Sequence, residues 1–213
     1  MVINSRAAIQ NPVKMRKKPI PDYLIYEVMR GKPVYYKDYE KILSKQTSFQ
    51  DIMGSSGLQS LILSIMEDFI KDTFKKKYRL LVSELGLHVG HKENYSADIA
   101  GYDREKVTAK MLAQPNYLTI PPTFVVEVDI KADISELKDF YFFDKTQDLL
   151  NWGVEEVVWI FTTSKKIIHA RQSQPWVTYD WSNDLLFLGE HFNLKTLAAA
   201  EDLDIDNLIF DKL

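Results

Sequence analysis

The sequence predicts an α/β sandwich, a mixed β-sheet clasped between helices. Three observations carry that expectation. Apolar residues recur at helical spacing from Leu58 through Leu61, Ile62, Ile65, Phe69 and Ile70 to Phe74. Two strongly apolar runs, Phe124-Val125-Val126-Glu127-Val128-Asp129-Ile130-Lys131 and 156–161, read as strands, the second covered on both faces. Between them lies a helical segment over 137–152, stopped by Gly153. Helix, strands, helix and strand in that order leave a sheet with helices on its faces.

The elements follow in chain order. Residues 1–20 carry lysine and proline with little periodicity and are expected as a flexible basic arm, with 21–213 as a single domain. Segments 23–29 and 34–36 read as strands around Arg30-Gly31-Lys32-Pro33, a turn-forming sequence that predicts an N-terminal hairpin. A short helix is expected over 39–44. Gly54-Ser55-Ser56-Gly57 then supplies a breaker and a hydroxyl cap for the long helix. Strands are expected over 78–89 and 96–102, with 90–94 as the loop between them, and 104–122 reads as a polar, proline-punctuated loop. Short antiparallel strands over 166–171, 175–179 and 185–188 and a small helix over 194–200 complete the chain.

Composition narrows the function classes. At 213 residues, 46% hydrophobic and 27% charged, the chain is long enough for one well-filled core. No segment approaches the roughly 18 to 20 uninterrupted apolar residues of a membrane span. The first residues lack the charged-then-apolar pattern of a secretory signal, so the cytoplasm is the expected compartment and no membrane partner is expected. The absence of cysteine excludes disulfides and thiolate zinc sites and leaves oxygen or imidazole ligands for any metal. A net charge of −3 argues against a strongly basic nucleic-acid binder, although Lys14, Arg16, Lys17 and Lys18 form one local cluster and Lys75, Lys76, Lys77 and Arg79 another. No glycine-rich phosphate loop, nucleophile elbow or dinucleotide fingerprint is present, so no nucleotide cofactor is expected.

The chemistry gathers on the strands. Alternation along 124–131 turns Phe124, Val126, Val128 and Ile130 one way and Glu127, Asp129 and Lys131 the other. Asp98 lies in Ser96-Ala97-Asp98-Ile99-Ala100, facing away from Ala97, Ile99 and Gly101. If the two strands pair, the Asp98 and Glu127 carboxylates converge, and such a pair costs free energy unless a cation lies between them. A magnesium ion held by one or two carboxylates suits it; the bland reading is two surface acids. Tyr141, Lys145, Leu149 and Trp152 share one helical stripe, so Lys145 either meets an acid on the sheet or snorkels to water. Glu84 reads as an outer metal ligand or as a solvent-facing acid. His88 and His91 lack both the geometry and the partner helix of a zinc site.

These features resemble the PD-(D/E)xK nuclease superfamily, and more narrowly the Uma-two family of restriction-endonuclease-like proteins. The resemblance runs from about residue 21 to residue 168. It rests on Tyr95-Ser96-Ala97-Asp98-Ile99-Ala100, on Pro121-Pro122-Thr123-Phe124-Val125-Val126-Glu127-Val128, and on Lys145 followed by Gly153-Val154-Glu155-Glu156-Val157-Val158-Trp159-Ile160. It implies a restriction-endonuclease-like mixed β-sheet flanked by helices, with the N-terminal hairpin and the C-terminal antiparallel strands as additions. It also implies phosphodiester hydrolysis in DNA with Mg2+ or Mn2+. Asp98 and Glu127 match the metal-binding acids, with a backbone carbonyl near Val128 as a further ligand. The superfamily pattern places a lysine two residues after the second acid, where this chain has Asp129. Lys145 matches a helix-borne replacement, and Lys131 is held in reserve. A histidine often found in relatives is missing from Gly54-Ser55-Ser56. The rival expectation is a catalytically inactive member of the same fold, a DNA-binding or protein-interaction module that forms a homodimer through its late strands.

Overall fold

A computed structural model describes residues 19–74, 76–113, 115–135 and 140–207. The expected arm over 1–20 therefore lies outside the described residues except for its last two, as does the expected beginning of the helix at 137. After a single 3-10 turn at Asp22–Leu24 come β1 (Ile25–Met29) and β2 (Lys32–Tyr35), joined by Arg30 and Gly31. Both of these residues have positive φ, at 49° and 77°, as a two-residue hairpin turn of matching twist requires. Two short helices follow, α1 (Tyr39–Leu43) and α2 (Phe49–Met53), the second absent from the sequence reading.

The long helix α3 (Gly57–Phe74) starts where the Ser56 hydroxyl accepts from the Gln59 amide at 3.1 Å. Its buried face consists of Gln59, Ile62, Ile65, Met66, Ile70 and Phe74. Strands β3 (Tyr78–Gly90) and β4 (Glu93–Asp103) pair along almost their whole lengths, so the expected loop at 90–94 contracts to the turn at His91 and Lys92. A short helix, α4 (Ala109–Leu112), interrupts the expected loop over 104–122.

Then β5 (Phe124–Val128), α5 (Phe140–Trp152) and β6 (Glu156–Phe161) form a parallel β-α-β unit. Strand β5 stops at Val128, because Asp129 takes a φ of 58°, outside the extended region. The alternation expected to run on through Asp129 and Lys131 therefore ends there. Strands β7 (Lys166–Arg171), β8 (Val177–Asp180), β9 (Leu185–Phe187) and β10 (Glu190–Phe192) precede α6 (Leu194–Ala200), with β10 an unforeseen addition.

Eight strands form one mixed sheet in the order β2-β1-β4-β5-β6-β7-β8, with β3 along the other edge of β4; β9 and β10 form a separate pair. The fold class expected from sequence is thus observed. One core fills the α3 side with Ile62, Ile65, Phe124, Val126, Val158 and Ile160. The other lies under α5 with Tyr95, Val125, Tyr141, Leu149, Val157 and Trp159. Trp181 is buried in the first core. Among the described residues no helix is long and apolar enough to cross a membrane.

One edge of β4 changes partners partway along. Near its start it pairs with β1 at Val28–Asn94, and farther along with β5 from Ile99–Val126 to Gly101–Phe124. Between those ladders, residues 95–98 have no strand partner on that edge among the described residues, and here the charged side chains collect.

Close packing across β4 and β5 yields a stability test. The Phe124 ring occupies the space above Gly101, where an added Cβ would stand 2.0 Å from it. Gly101→Ala is expected to cost at least about 1–3 kcal/mol in urea unfolding. Gly54→Ala, with no atom within 4 Å of the added Cβ, is expected to stay within about 0.5 kcal/mol of the parent.

Candidate active site

The released edge of β4 is satisfied by carboxylates in place of backbone. The Ser96 amide donates to Glu27 Oε1 at 2.8 Å, and the Val128 amide donates to Asp98 Oδ2 at 2.9 Å. Asp98 and Glu127 lie one step beyond the Ile99–Val126 pair, as expected if their strands were neighbours. Their carboxylates nevertheless take different partners.

Asp98 belongs to an open half of the site. Opposite it, on the other edge of β4, the register with β3 shifts between Val82 and Leu85, and Ser83 and Glu84 both take positive φ, 73° and 54°. This bulge, a backbone arrangement that costs on the order of 1–3 kcal/mol per strained residue, aims Glu84 at Lys131. Lys131 Nζ lies 2.8 Å from Glu84 Oε1 and 3.2 Å from Asp98 Oδ1. All three side chains line a cavity of about 430 Å³ beneath α3. Burial disfavours the Lys131 ammonium, but Asp98 and Glu84 outweigh it and hold its pKa above the ordinary lysine value.

Glu127 belongs to a closed half. Lys145, from the buried stripe of α5, is 1% exposed, with Nζ 2.8 Å from Glu27 Oε1 and 2.9 Å from Glu127 Oε1. The lysine is therefore paired with acids and does not snorkel to water. The Tyr141 hydroxyl donates to Glu27 Oε2 at 2.6 Å, completing the coordination of that carboxylate. Glu127 Oε1 is buried and, despite the nearby ammonium, lacks an aligned hydrogen bond. Burial pushes the Glu127 carboxyl up from 4.5 to about 8; Lys145 opposes the shift, and the Asp98 and Glu27 charges add to it. At Lys145 burial acts against the charge, and Glu127 and Glu27 together prevail, raising its pKa above the ordinary value.

Tyr26 connects the halves. Its phenol pKa is raised well above the ordinary value by burial and then by Glu27, Glu127, Asp98 and Glu84 in turn. Four carboxylates thus act on one hydroxyl, and among the described residues Lys131 and Lys145 are the cations paired with them.

The sequence reading brought Asp98, Glu127, Lys145, Lys131 and Glu84 to this region but missed three contributors. Glu27, 3% exposed, lies on the hairpin about seventy positions before its contact at Ser96; its one signal was a lone charge in an apolar strand. Tyr26 carried no signal at all. Gln59 is the third, buried one turn into α3, where its Nε2 donates to the Val128 carbonyl at 2.6 Å. It supplies a polar contact from the helix that follows the histidine-free Gly54-Ser55-Ser56. Asp129, expected beside Glu127, instead accepts from the Thr162 amide and hydroxyl at 2.8 and 2.6 Å. His88 Nδ1 is engaged with Asn94 Oδ1 at 2.6 Å.

A hard divalent cation fits the donor chemistry. Every candidate ligand is an oxygen, carboxylates outnumber ammoniums four to two, and one buried carboxylate oxygen has no aligned donor. Among the described residues no three Asp, Glu or His side chains form a ready-made metal cage. The arrangement therefore suits an ion that keeps several waters, as magnesium does.

Among solved structures the chain resembles a "putative nuclease belonging to DUF820" from Anabaena variabilis ATCC 29413. The TM-score is 0.60 at 15% sequence identity, over 81% of this chain and 89% of that one. This likeness shows a shared fold. No family model matches the sequence, and no curated protein is similar to it.

The raised carboxyl of Glu127 yields a pH prediction. Between the unfolded value near 4.5 and the folded value near 8, the folded chain retains a proton at Glu127 that the unfolded chain has lost. Stability from this group therefore falls as pH rises through that window and is level outside it. Urea unfolding is expected to show Glu127→Gln gaining on the parent from pH 5 to pH 8; parallel curves would contradict the assignment. Lys145→Met, which leaves the Glu27 carboxylate buried without its cation, is expected to cost about 3–5 kcal/mol at neutral pH in the same measurement.

Proposed function

We propose that this chain is a divalent-metal-dependent endonuclease that hydrolyses phosphodiester bonds in DNA. The observation that carries the proposal is that Asp98 and Glu127 stand on adjacent strands one step beyond the Ile99–Val126 pair, each acid paired with its own lysine. The fold shared with the Anabaena protein supports the same class of chemistry.

Asp98 and Glu127 would hold Mg2+ or Mn2+, with Glu84 as an outer ligand beside Asp98. The Val128 carbonyl, which already accepts from Gln59, retains a second lone pair for the same purpose. When bound, the ion supplies Lewis acidity towards a phosphoryl oxygen and a lowered pKa for a water. The chain's own residues do the rest. The Val128 amide fixes the Asp98 carboxylate from one side. Lys145, enclosed between Glu27 and Glu127, holds Glu127 in place and is a positioning residue. Lys131 borders the cavity, with 15% of its side chain exposed, and is the lysine able to meet a phosphate and offset its developing charge. A second, larger groove of about 980 Å³ also reaches Lys131; Lys37 and Lys41 line it together with Asp38, Glu40, Asp51, Asp129 and Asp133.

Plasmid nicking in Mg2+ or Mn2+ tests the proposal. Asp98→Asn and Glu127→Gln keep the shapes of the side chains and are expected to reduce nicking by at least about a hundredfold, on the order of the loss of one electrostatic group in an active site. Equal behaviour of parent and both variants would transfer the fold to the non-catalytic, binding role.

A further inference from the structure

The cation between Glu84 and Asp98 is part of the chain. We propose that Lys131 is the resident counter-ion of this acid pair, a tethered competitor that a divalent ion displaces, so that metal entry and release of the Lys131 ammonium towards the larger groove are one exchange. The proposal rests on the nuclease reading only in its last step, the use of the released ammonium.

Three features support it. First, Lys131 Nζ is shared between Glu84 Oε1 at 2.8 Å and Asp98 Oδ1 at 3.2 Å, which places a positive charge where two oxygens from different strands converge. A dication on the same two oxygens would face the ammonium at close range, where like charges repel. The two cations therefore compete for the acid pair. Second, the convergence is built at a cost. Ser83 and Glu84 are both held in the left-handed region within a strand, and an unstrained β3 would have no extra residue opposite Asp98 to send across. Third, Lys131 has somewhere to go. Its backbone is pinned, the Lys131 carbonyl accepting from the Lys37 amide at 2.7 Å, while its four-carbon stem stands at the junction of the two cavities. Rotation about that stem is the movement that would carry the ammonium from the smaller cavity into the larger groove. Lys145 lacks this freedom, being enclosed at 1% exposure between two acids.

Isothermal titration with Mn2+ tests the exchange. Lys131→Met removes the competitor and is expected to bind Mn2+ at least about tenfold more tightly than the parent, with a correspondingly larger rise in Tm on adding metal. Lys131→Arg retains a cation and is expected to bind Mn2+ as the parent does, which a merely structural role for Lys131 would not predict. The double variant Glu84→Gln/Lys131→Met should lose the gain. If Lys131→Met is poorly folded, Lys131→Gln serves in its place. Unchanged or weaker Mn2+ binding in both neutral variants overturns the proposal. Plasmid nicking separates it from the nuclease reading. Tighter Mn2+ binding in a protein that never nicks leaves the exchange standing and removes the nuclease. Nicking that depends on Asp98, with no change in Mn2+ affinity at Lys131, removes the exchange alone.

Discussion

The site depends on a gap in the hydrogen-bond ladder along one edge of β4. A strand inside a sheet ordinarily gives its amides and carbonyls to backbone partners, and a buried donor left without one costs on the order of 1–3 kcal/mol. Between Val28–Asn94 and Ile99–Val126 no backbone is available, so the Glu27 carboxylate receives the Ser96 amide and the Asp98 carboxylate receives the Val128 amide. Acceptors are therefore required at this point, and both are carboxylates. Their charges come with them, and the buried lysines follow from the charges. Structural need and chemical capacity are served by the same atoms.

Once the acids are in place, the two faces of the sheet treat them differently. Under α5 the surroundings are apolar and closed, and Lys145 is locked by Glu27 and Glu127 with Tyr141 on the outer oxygen. Beneath α3 the wall is open and Lys131 is reachable from two cavities. One ammonium is thus a fixed part of the framework and the other is exchangeable. Lys145→Met removes a strut, whereas Lys131→Met removes a competing charge, so the two variants should differ in kind as well as in degree.

The local half of this structure was legible in the sequence. The stripe from Ile62 to Phe74, the stripe through Tyr141, Lys145 and Leu149, the apolar runs of β5 and β6 and the Arg30-Gly31 turn are all periodic or conformational signals contained within about 20 residues. Asp98 and Glu127 were legible as charges interrupting such runs. What could not be read were the places where tertiary contacts overrule local pattern. Asp129 leaves the strand because its carboxylate is taken by Thr162 on the neighbouring loop. Glu84 faces the site because β3 bulges at Ser83. Glu27 is an ordinary acid on a short hairpin until the chain brings it against Ser96 and Lys145. Short elements such as α2 and β10 are too brief to show a period.

The separation of sequence signal from spatial role is clearest at Asp129 and Lys131. Two residues after Glu127, an extended strand would place a side chain beside Asp98, and Asp129 there would add a fifth acid to the cluster. The left-handed turn at Asp129 prevents this by sending that carboxylate to Thr162 and returning the chain so that Lys131, two residues later, reaches Asp98. The opposite fates of this acid and this lysine are consequences of one backbone torsion. Making Asp129 extended would exchange an ammonium for a carboxylate at the most acidic point of the fold. The φ of 58° at Asp129 is therefore as much a determinant of the charge balance as the identities of Asp98 and Glu127.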